Sequence, residues 1–393
     1  MTLSTVLFVE TSPTVGGAAR VLLTILSALD PRRARGAVVC SPGTRVEDAV
    51  RAAGHATVPV HLPTLTFEGG ARRAPALAAG FARATVQLAG AIRRDRPALI
   101  HANGIAAVLL VGVPARLARV PVVWHVHDML PVTARNRPFV RAAGALATSI
   151  ACVSTAAQAR VLEFGVAPEK CFVVRNCVPP PLLSPAKRPS TEDSPGPTVL
   201  AVGALTPLKG QHVLLDAARI LSRSVPALRV AFAGEVTWER DRGYADRLRA
   251  TVEREGLRDV VEFLGFRSDV DALMARATVV AHPSTQEETF GLVPLEAMAA
   301  GRPVVASRIG GIPEVVTEEA GILVEPGRGD ELAAALARLL ADPALRDRMG
   351  AAGMRIARER FSPAAMIRAL DDVYAPLAGH GLLRDGTAAG EER

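Results

Sequence analysis

Residues 281–306 read AHPSTQEETFGLVPLEAMAAGRPVVA, and the fold turns on this stretch. The apolar residues Thr278–Ala281 predict a buried strand that runs into a polar loop. The loop bends at Phe290-Gly291 into a short helix, and a second apolar strand, Val304–Ala306, follows. Pro294 fits only a first helical turn, where a missing N–H costs nothing, so the helix begins near Leu292. The first N–H groups of a helix have no partner within it. Together with the positive end of the dipole they make an anion site, most often for phosphate. Glu288 precedes the turn and Glu296 lies just inside the helix, with seven residues between them. Carboxylates beside such a site do not bind phosphate, but they accept hydrogen bonds from hydroxyls. The combination points to a nucleotide sugar, diphosphate on the helix end and hydroxyls on the two acids. The plainer alternative is that the dipole alone favours Glu296 in a first turn, and that Glu288 is a solvated loop residue.

Outward from this stretch, 393 residues suggest two domains of ordinary size, and 49% apolar content is ample for two cores. Charge is unevenly spread: residues 1–178 carry 20 Lys+Arg against 9 Asp+Glu, and residues 179–393 carry 26 against 30. The basic excess of the first half suits an acidic acceptor, an anionic membrane surface or nucleic acid, or is only a solvated Arg-rich surface. Aromatic residues make up 4% and no basic run is interleaved with them, so no nucleic-acid stacking platform is expected. Cys40, Cys152, Cys171 and Cys177 form no CxxC, and three of them sit on or beside strand-like runs as small buried hydrophobes. That usage fits a reducing cytosol rather than a disulfide scaffold. The first residues lack a basic run and lead straight into a strand ending in Glu10, which does not read as a signal peptide. The longest apolar run, Ile105–Ala115, is too short to span a bilayer, so any membrane contact would be peripheral and the expected location is cytoplasmic.

Strand, glycine loop and helix open the chain: Val6–Val9, then Glu10 to Gly17, then an apolar-periodic helix over Ala18–Leu29. Strand-like and helix-like runs alternate from there to Val174. Pro179 to Pro197 holds seven prolines and reads as a linker. A second alternating series begins at Val199. Alternation of this kind predicts parallel sheets buried on both faces. Ligands of open α/β sheets bind beyond the carboxyl ends of the strands. There stand Glu10 to Gly17, His101-Ala-Asn103-Gly104, His125-Val-His127-Asp128, Gly203 to Lys209, Gly234-Glu235, Gly265-Phe266 and His282 to Gly291. If the two polar edges face each other, the active site is the cleft between them. Gly16-Gly17 opens a helix and lets backbone approach a phosphate, though alone it is a common turn. GxGxxG is absent, which counts against a nicotinamide enzyme. His125 and His127 alternate on one strand and point the same way, but no third ligand of suitable spacing makes a metal site of them. At the far end, Ser362 is a candidate N-cap with Pro363 at N1, and Met366, Leu370, Val373 and Leu377 form a core stripe. The small, polar residues after His380 read as a disordered tail.

The string E288-T-F-G-L-V-P-L-E296-A-M-A-A-G-R-P-V-V-A306 resembles the Glu-x7-Glu signature of the retaining glycosyltransferases of family four, which have the GT-B fold. Val202-Gly203-Ala204-Leu205-Thr206-Pro207-Leu208-Lys209-Gly210 resembles that family's V-G-R-L-x-x-x-K-G loop. Lys209 and Gly210 are kept, but Ala204 stands where the family has Arg, and Ala19 where it often has Glu. His127-Asp128 resembles the family's His-Asp pair near the acceptor, and His101-Ala-Asn103-Gly104 a further family element. The resemblance implies two Rossmann-like doubly wound α/β domains facing across a cleft: an acceptor domain over 1–178, a linker over 179–197 and a donor domain over 198–360. A helix over 361–378 would cross back to the first domain, ahead of a disordered tail over 379–393. It implies a hexosyltransferase that moves a sugar from a nucleotide donor to a hydroxyl with retention, without metal or other cofactor. On this reading the donor side comprises Gly16, Gly17, Gly203, Lys209, Phe266, Glu288, Phe290, Gly291, Leu292, Val293 and Glu296. His101, Asn103, His127 and Asp128 face a sugar, lipid-linked or small-molecule acceptor, and His127, Lys209 and Glu288 carry the chemistry. The departures at Ala204 and Ala19 keep a second reading open, a catalytically impaired member that binds nucleotide sugar as a sensor or partner subunit. A nucleotide-sugar epimerase is a third, and the length counts against a glycogen-type phosphorylase.

Overall fold

The computed structural model describes residues 3–63, 74–178 and 196–383. The chain divides into two compact units, the first comprising Met1–Cys177 with Pro363–Arg393, the second Val178–Ser362.

In the first unit strands and helices alternate as β1 (Ser4–Glu10), α1 (Gly17–Ser27), β2 (Ala34–Cys40), α2 (Arg45–Ala52), β3 (Ala56–Pro59), α3 (Ala74–Asp95) and β4 (Leu99–Asn103). They continue as α4 (Ile105–Ala118), β5 (Val122–Val126), α5 (Arg137–Leu146), β6 (Ser149–Cys152), α6 (Thr155–Glu163) and β7 (Cys171–Val173). The seven strands lie in the order β3-β2-β1-β4-β5-β6-β7, and every pairing is parallel. β4, β5 and β6 are buried at every residue, as expected of strands with both faces covered. All four cysteines are buried and free, Cys152 and Cys171 on neighbouring strands.

The second unit runs β8 (Thr198–Val202), α7 (Gln211–Leu221), β9 (Arg229–Ala233), α8 (Arg242–Arg254), β10 (Val261–Gly265), α9 (Val270–Arg276) and β11 (Val279–His282). Then come α10 (Leu292–Ala299), β12 (Val304–Ser307), α11 (Ile312–Val315), β13 (Gly321–Val324), α12 (Gly329–Ala341) and α13 (Pro343–Arg360). Its parallel sheet has the order β10-β9-β8-β11-β12-β13. In both sheets the order reverses once among the central strands, between β1 and β4 and between β8 and β11. Such switch points open a crevice beyond the strand ends.

The last helix, α14 (Pro363–Ala378), belongs to the first unit. Met366, Leu370 and Val373 of the predicted stripe are buried, as is Tyr374, while Leu377 is only half-buried. The predicted disordered tail needs correcting at its start. Leu382 and Leu383 are buried, their N–H groups donate to Asp371 Oδ1, and Asp30 N–H donates to the Leu382 carbonyl. A Leu-Leu pair is apolar enough to seal the edge of a core, which the polar residues around it concealed. Positions 384–393, and residues 179–195 of the predicted linker over 179–197, lie outside the described residues. Among the described residues no helix is long and apolar enough to cross a membrane.

Candidate functional site

The switch point of the second sheet gathers most of the predicted donor residues, while Gly16 and Gly17 belong to the first unit and Phe266 follows the edge strand β10. Beyond β8 the chain passes Gly203 and forms one 3-10 turn, Pro207–Lys209, that presents Lys209. Gly210 closes the turn at φ +66°, and a Cβ there would strike the Pro283 carbonyl. Thr285 fastens the turn from the other side: its N–H donates to Leu208 O at 2.9 Å and its hydroxyl to Pro207 O at 2.9 Å. The loop carrying Lys209 is thereby joined to the loop carrying Glu288, and Lys209 Nζ donates to Glu288 Oε1 at 2.8 Å. The same oxygen receives His282 Nε2 at 2.8 Å and the Ser284 hydroxyl. Burial pushes the Glu288 carboxyl up, but His282 and the Lys209 ammonium beside it outweigh this and hold the group well below the usual carboxylate range. Gly310 and Gly311 press on Glu288 from behind. A Cβ at either would meet the backbone of Glu288 or Thr289, and Gly311 N–H donates to the Glu288 carbonyl at 2.8 Å.

α10 begins at Leu292, as its proline requires. Gly291 precedes it at φ +104°, and no side chain caps it, so the positive end of the helix stays available for an anion. Leu292 and Val293 are half-buried in its first turn. Two expectations change here. Phe290 does not present its ring to a ligand; it is 2% exposed and packs edge-on against Phe361 at 5.7 Å, pinning the turn from inside. Glu296 lies in the second helical turn rather than the first and is 2% exposed, so a first-turn dipole preference does not account for it. Gly203, at φ +144°, lies alongside the Lys209 stem. Phe266 follows β10 and is 64% exposed. Ala204 is half-buried and offers only its carbonyl, which accepts Gln211 Nε2 at 2.8 Å.

The switch point of the first sheet gathers the predicted acceptor residues. Glu10 and Asn103 are ladder partners on β1 and β4, and Asn103 is in turn paired with His125 of β5. Asn103 Nδ2 donates to Glu10 Oε2 and to the Ala18 carbonyl, while Asn103 Oδ1 receives His127 Nε2 at 2.8 Å. Glu10 Oε1 takes the Ser12 N–H at 2.7 Å. Burial raises the Glu10 pKa against these hydrogen bonds. Beneath His127 lie two more imidazoles. His125 lies against it at a tilt, with ring centroids 4.1 Å apart, and meets His101 at 3.2 Å, and His101 Nδ1 lies 2.6 Å from the Tyr374 hydroxyl. Burial drives His101 and His127 down to about 3 and His125 well below its ordinary value, so all three rings are neutral near pH 7. Asp128 is exposed, and Gly16 and Gly17 form the N-terminus of α1 with open space where a Gly16 side chain would stand. Among the described residues no cluster of three or more His, Cys, Asp or Glu is arranged to hold a metal ion.

Sequence reasoning gave no role to His282, Ser284, Gly310, Gly311 or Tyr374. The His-Pro-Ser at the end of β11 was a usable signal, since it ends a buried strand with polar residues. Tyr374 carried none, because a tyrosine in an apolar helical stripe reads as core.

This is a two-domain α/β architecture with an uncapped helix N-terminus beside a buried carboxylate in one unit and a buried imidazole cluster in the other, the fold class of the GT-B proteins. Residues 15–180 match the family model described as Glycosyltransferase Family 4, and residues 185–355 the one described as Glycosyl transferases group 1. The chain belongs to these glycosyltransferases. It is 38% identical over 183 residues to a lipopolysaccharide core biosynthesis mannosyltransferase, LpcC, of Rhizobium leguminosarum bv. viciae, covering 46% of this chain and 48% of that one. It is 39% identical over 181 residues to a D-inositol 3-phosphate glycosyltransferase of Corynebacterium glutamicum, covering 45% and 42%. The chain thus spans just under half the length of the curated relatives it matches. Among solved structures, Anabaena Alr3699/HepE in complex with UDP and glucose superposes with a TM-score of 0.80 at 27% identity, covering 95% of this chain and 99% of that one.

Proposed function

We propose that the protein transfers a hexosyl group from a nucleotide sugar to an acceptor hydroxyl with retention at the anomeric carbon. The observation that carries this is the Lys209–Glu288 pair, 2.8 Å apart, beside the uncapped N-terminus of α10. An ammonium has three N–H donors. One of those on Lys209 serves Glu288, leaving two for the donor diphosphate, with the first-turn amides of α10 completing its cradle. The donors on Glu288 all reach Oε1, which leaves Oε2 for a sugar hydroxyl. Glu296 serves the ribose, with Phe266 and Gly203 on the donor side, and Gly16 and Gly17 give backbone access to phosphate. His127, Asp128, His101 and Asn103 form the acceptor side. In the step itself the bond from the anomeric carbon to the diphosphate oxygen breaks. The acceptor oxygen bonds to that carbon on the same face, and its proton passes to the departing phosphate. Lys209 and the helix end stabilise the charge that grows on the leaving group. No metal is required by this scheme.

The HepE complex with UDP and glucose supports a UDP-sugar as the first donor to try. A thermal-shift screen of UDP-, GDP-, ADP- and dTDP-sugars tests the reading, since a tight ligand raises the unfolding midpoint. Product analysis then separates transfer from epimerisation, which needs no acceptor. Ala204 favours a second reading, an impaired protein that binds nucleotide sugar without turning it over. Binding without turnover, with turnover appearing in Ala204→Arg, would establish it. The acceptor is a sugar, a lipid-linked or a small-molecule hydroxyl. Peripheral membrane attachment through the basic first half predicts co-sedimentation with vesicles that rises with their anionic lipid content.

A further inference from the structure

We propose that Glu10 and Asn103 are positioning residues that lock His127 in its Nε2–H tautomer and leave Nδ1 as the ring's acceptor atom. The orientation of the Asn103 amide decides this. Its Nδ2 faces the Glu10 carboxylate and the Ala18 carbonyl, which are both acceptors, so the NH2 must point there and Oδ1 must point to His127. An amide oxygen only accepts, so His127 Nε2 must carry the proton. His127 is neutral, so its second nitrogen bears the lone pair. The carboxylate is itself fixed by the Ser12 N–H on its other oxygen. Glu10 and Asn103 are 3% and 4% exposed and sit side by side at the first sheet's switch point.

The same bonds hold the glycine loop. Ser12, bonded to Glu10, starts the loop, and Ala18, bonded to Asn103, follows its two glycines. One carboxylate–amide pair therefore sets both the loop at Gly16-Gly17 and the hydrogen-bonding polarity of the imidazole. On the proposed transferase reading, on which this consequence rests, the sugar or acceptor hydroxyl must donate to His127, and a ligand group that can only accept is disfavoured there.

Asn103→Ala gives a sharp test, because it removes the acceptor that faces His127 Nε2 and leaves Glu10 its Ser12 bond. In the milder Glu10→Gln the introduced amide opposes the Asn103 NH2, but the Ala18 carbonyl still holds that group, so the lock is loosened rather than reversed. Long-range 1H–15N correlation on protein with 15N-labelled histidine reads the tautomer directly, with His127→Asn assigning the resonance. The expected result is Nε2–H in the parent, a mixture of the two tautomers in Asn103→Ala, and a smaller share of Nδ1–H in Glu10→Gln. A parent that carries the proton on Nδ1, or an Asn103→Ala protein that keeps it wholly on Nε2, overturns the proposal. Turnover of UDP-glucose to UDP supplies the second readout: kcat of Asn103→Ala falls about tenfold or more while the KM for UDP-glucose stays near the parent value, and kcat of Glu10→Gln falls less. A parent without UDP-glucose turnover speaks against the transferase reading with that donor, and the lock is then judged on the tautomer alone.

Discussion

At the scale of single residues, the proposed donor side rests on a hydrogen-bonded network rather than on one ion pair. Three donors converge on Glu288 Oε1, and only one of them, Lys209, carries the cation assigned to the diphosphate. On the proposed reading, His282 and Ser284 keep the carboxylate oriented while Lys209 turns toward a phosphate. Lys209→Ala should weaken UDP binding about 10- to 100-fold, the worth of a hydrogen bond to a charged group, with titration calorimetry as the measurement. Much of this site was legible in the sequence. A proline and a glycine placed the start of α10 without coordinates, because helix-start chemistry is local. His282 and Ser284 escaped notice because their importance depends on which way their side chains point at the end of a buried strand. Phe290 shows the converse: a residue in that loop can serve by packing inward, which its place in the sequence does not reveal.

At the scale of elements, glycines hold the loops together where a side chain would force them apart. Gly210 combines a left-handed backbone with a Cβ position filled by the Pro283 carbonyl. Gly210→Ala should cost about 2 kcal/mol or more and lower the unfolding midpoint of the second unit by about 4–8 °C, as read by calorimetry. Gly16 is the contrast, since open space surrounds its missing side chain and its φ of −86° suits any residue. Gly16→Ala should leave the midpoint unchanged, and any effect on nucleotide binding then reports on ligand contact alone. Strand and helix alternation was readable along almost the whole chain because parallel strands buried on both faces are nearly uninterrupted apolar runs. The 3-10 turn at Pro207–Lys209 was not, because three residues carry no period.

At the scale of the whole molecule, the first unit holds its neutral imidazoles at the price of acid stability. The folded-state values of His101 and His127 are near 3, that of His125 is also depressed, and the unfolded value is about 6.5. Between these limits the unfolded chain binds more protons, so stability is complete above about pH 6.5 and falls as the pH drops, by about 1.4 kcal/mol per pH unit for each ring that remains neutral. Glu288 acts in the same direction in the second unit, its contribution being lost as the pH falls below the ordinary carboxylate range. Thermal unfolding followed from pH 8 to pH 4 should show a plateau and then a steep decline, and His125→Leu should make the decline shallower. The tandem of two α/β units was legible from the proline-rich break and the restart of alternation. The discontinuity of the first unit rests on contacts between residues hundreds of positions apart, such as His101 and Tyr374.

That discontinuity fixes an order of events during synthesis. The second unit is contiguous and can finish as soon as its own residues leave the ribosome. The first has its sheet ready early, yet His101 lacks its phenol and the edge near Leu29 stays unsealed until Tyr374 and Leu383 emerge. The half of the protein made first is therefore completed last, and a nascent chain stopped short of its final helix carries an unfinished interior next to a finished one.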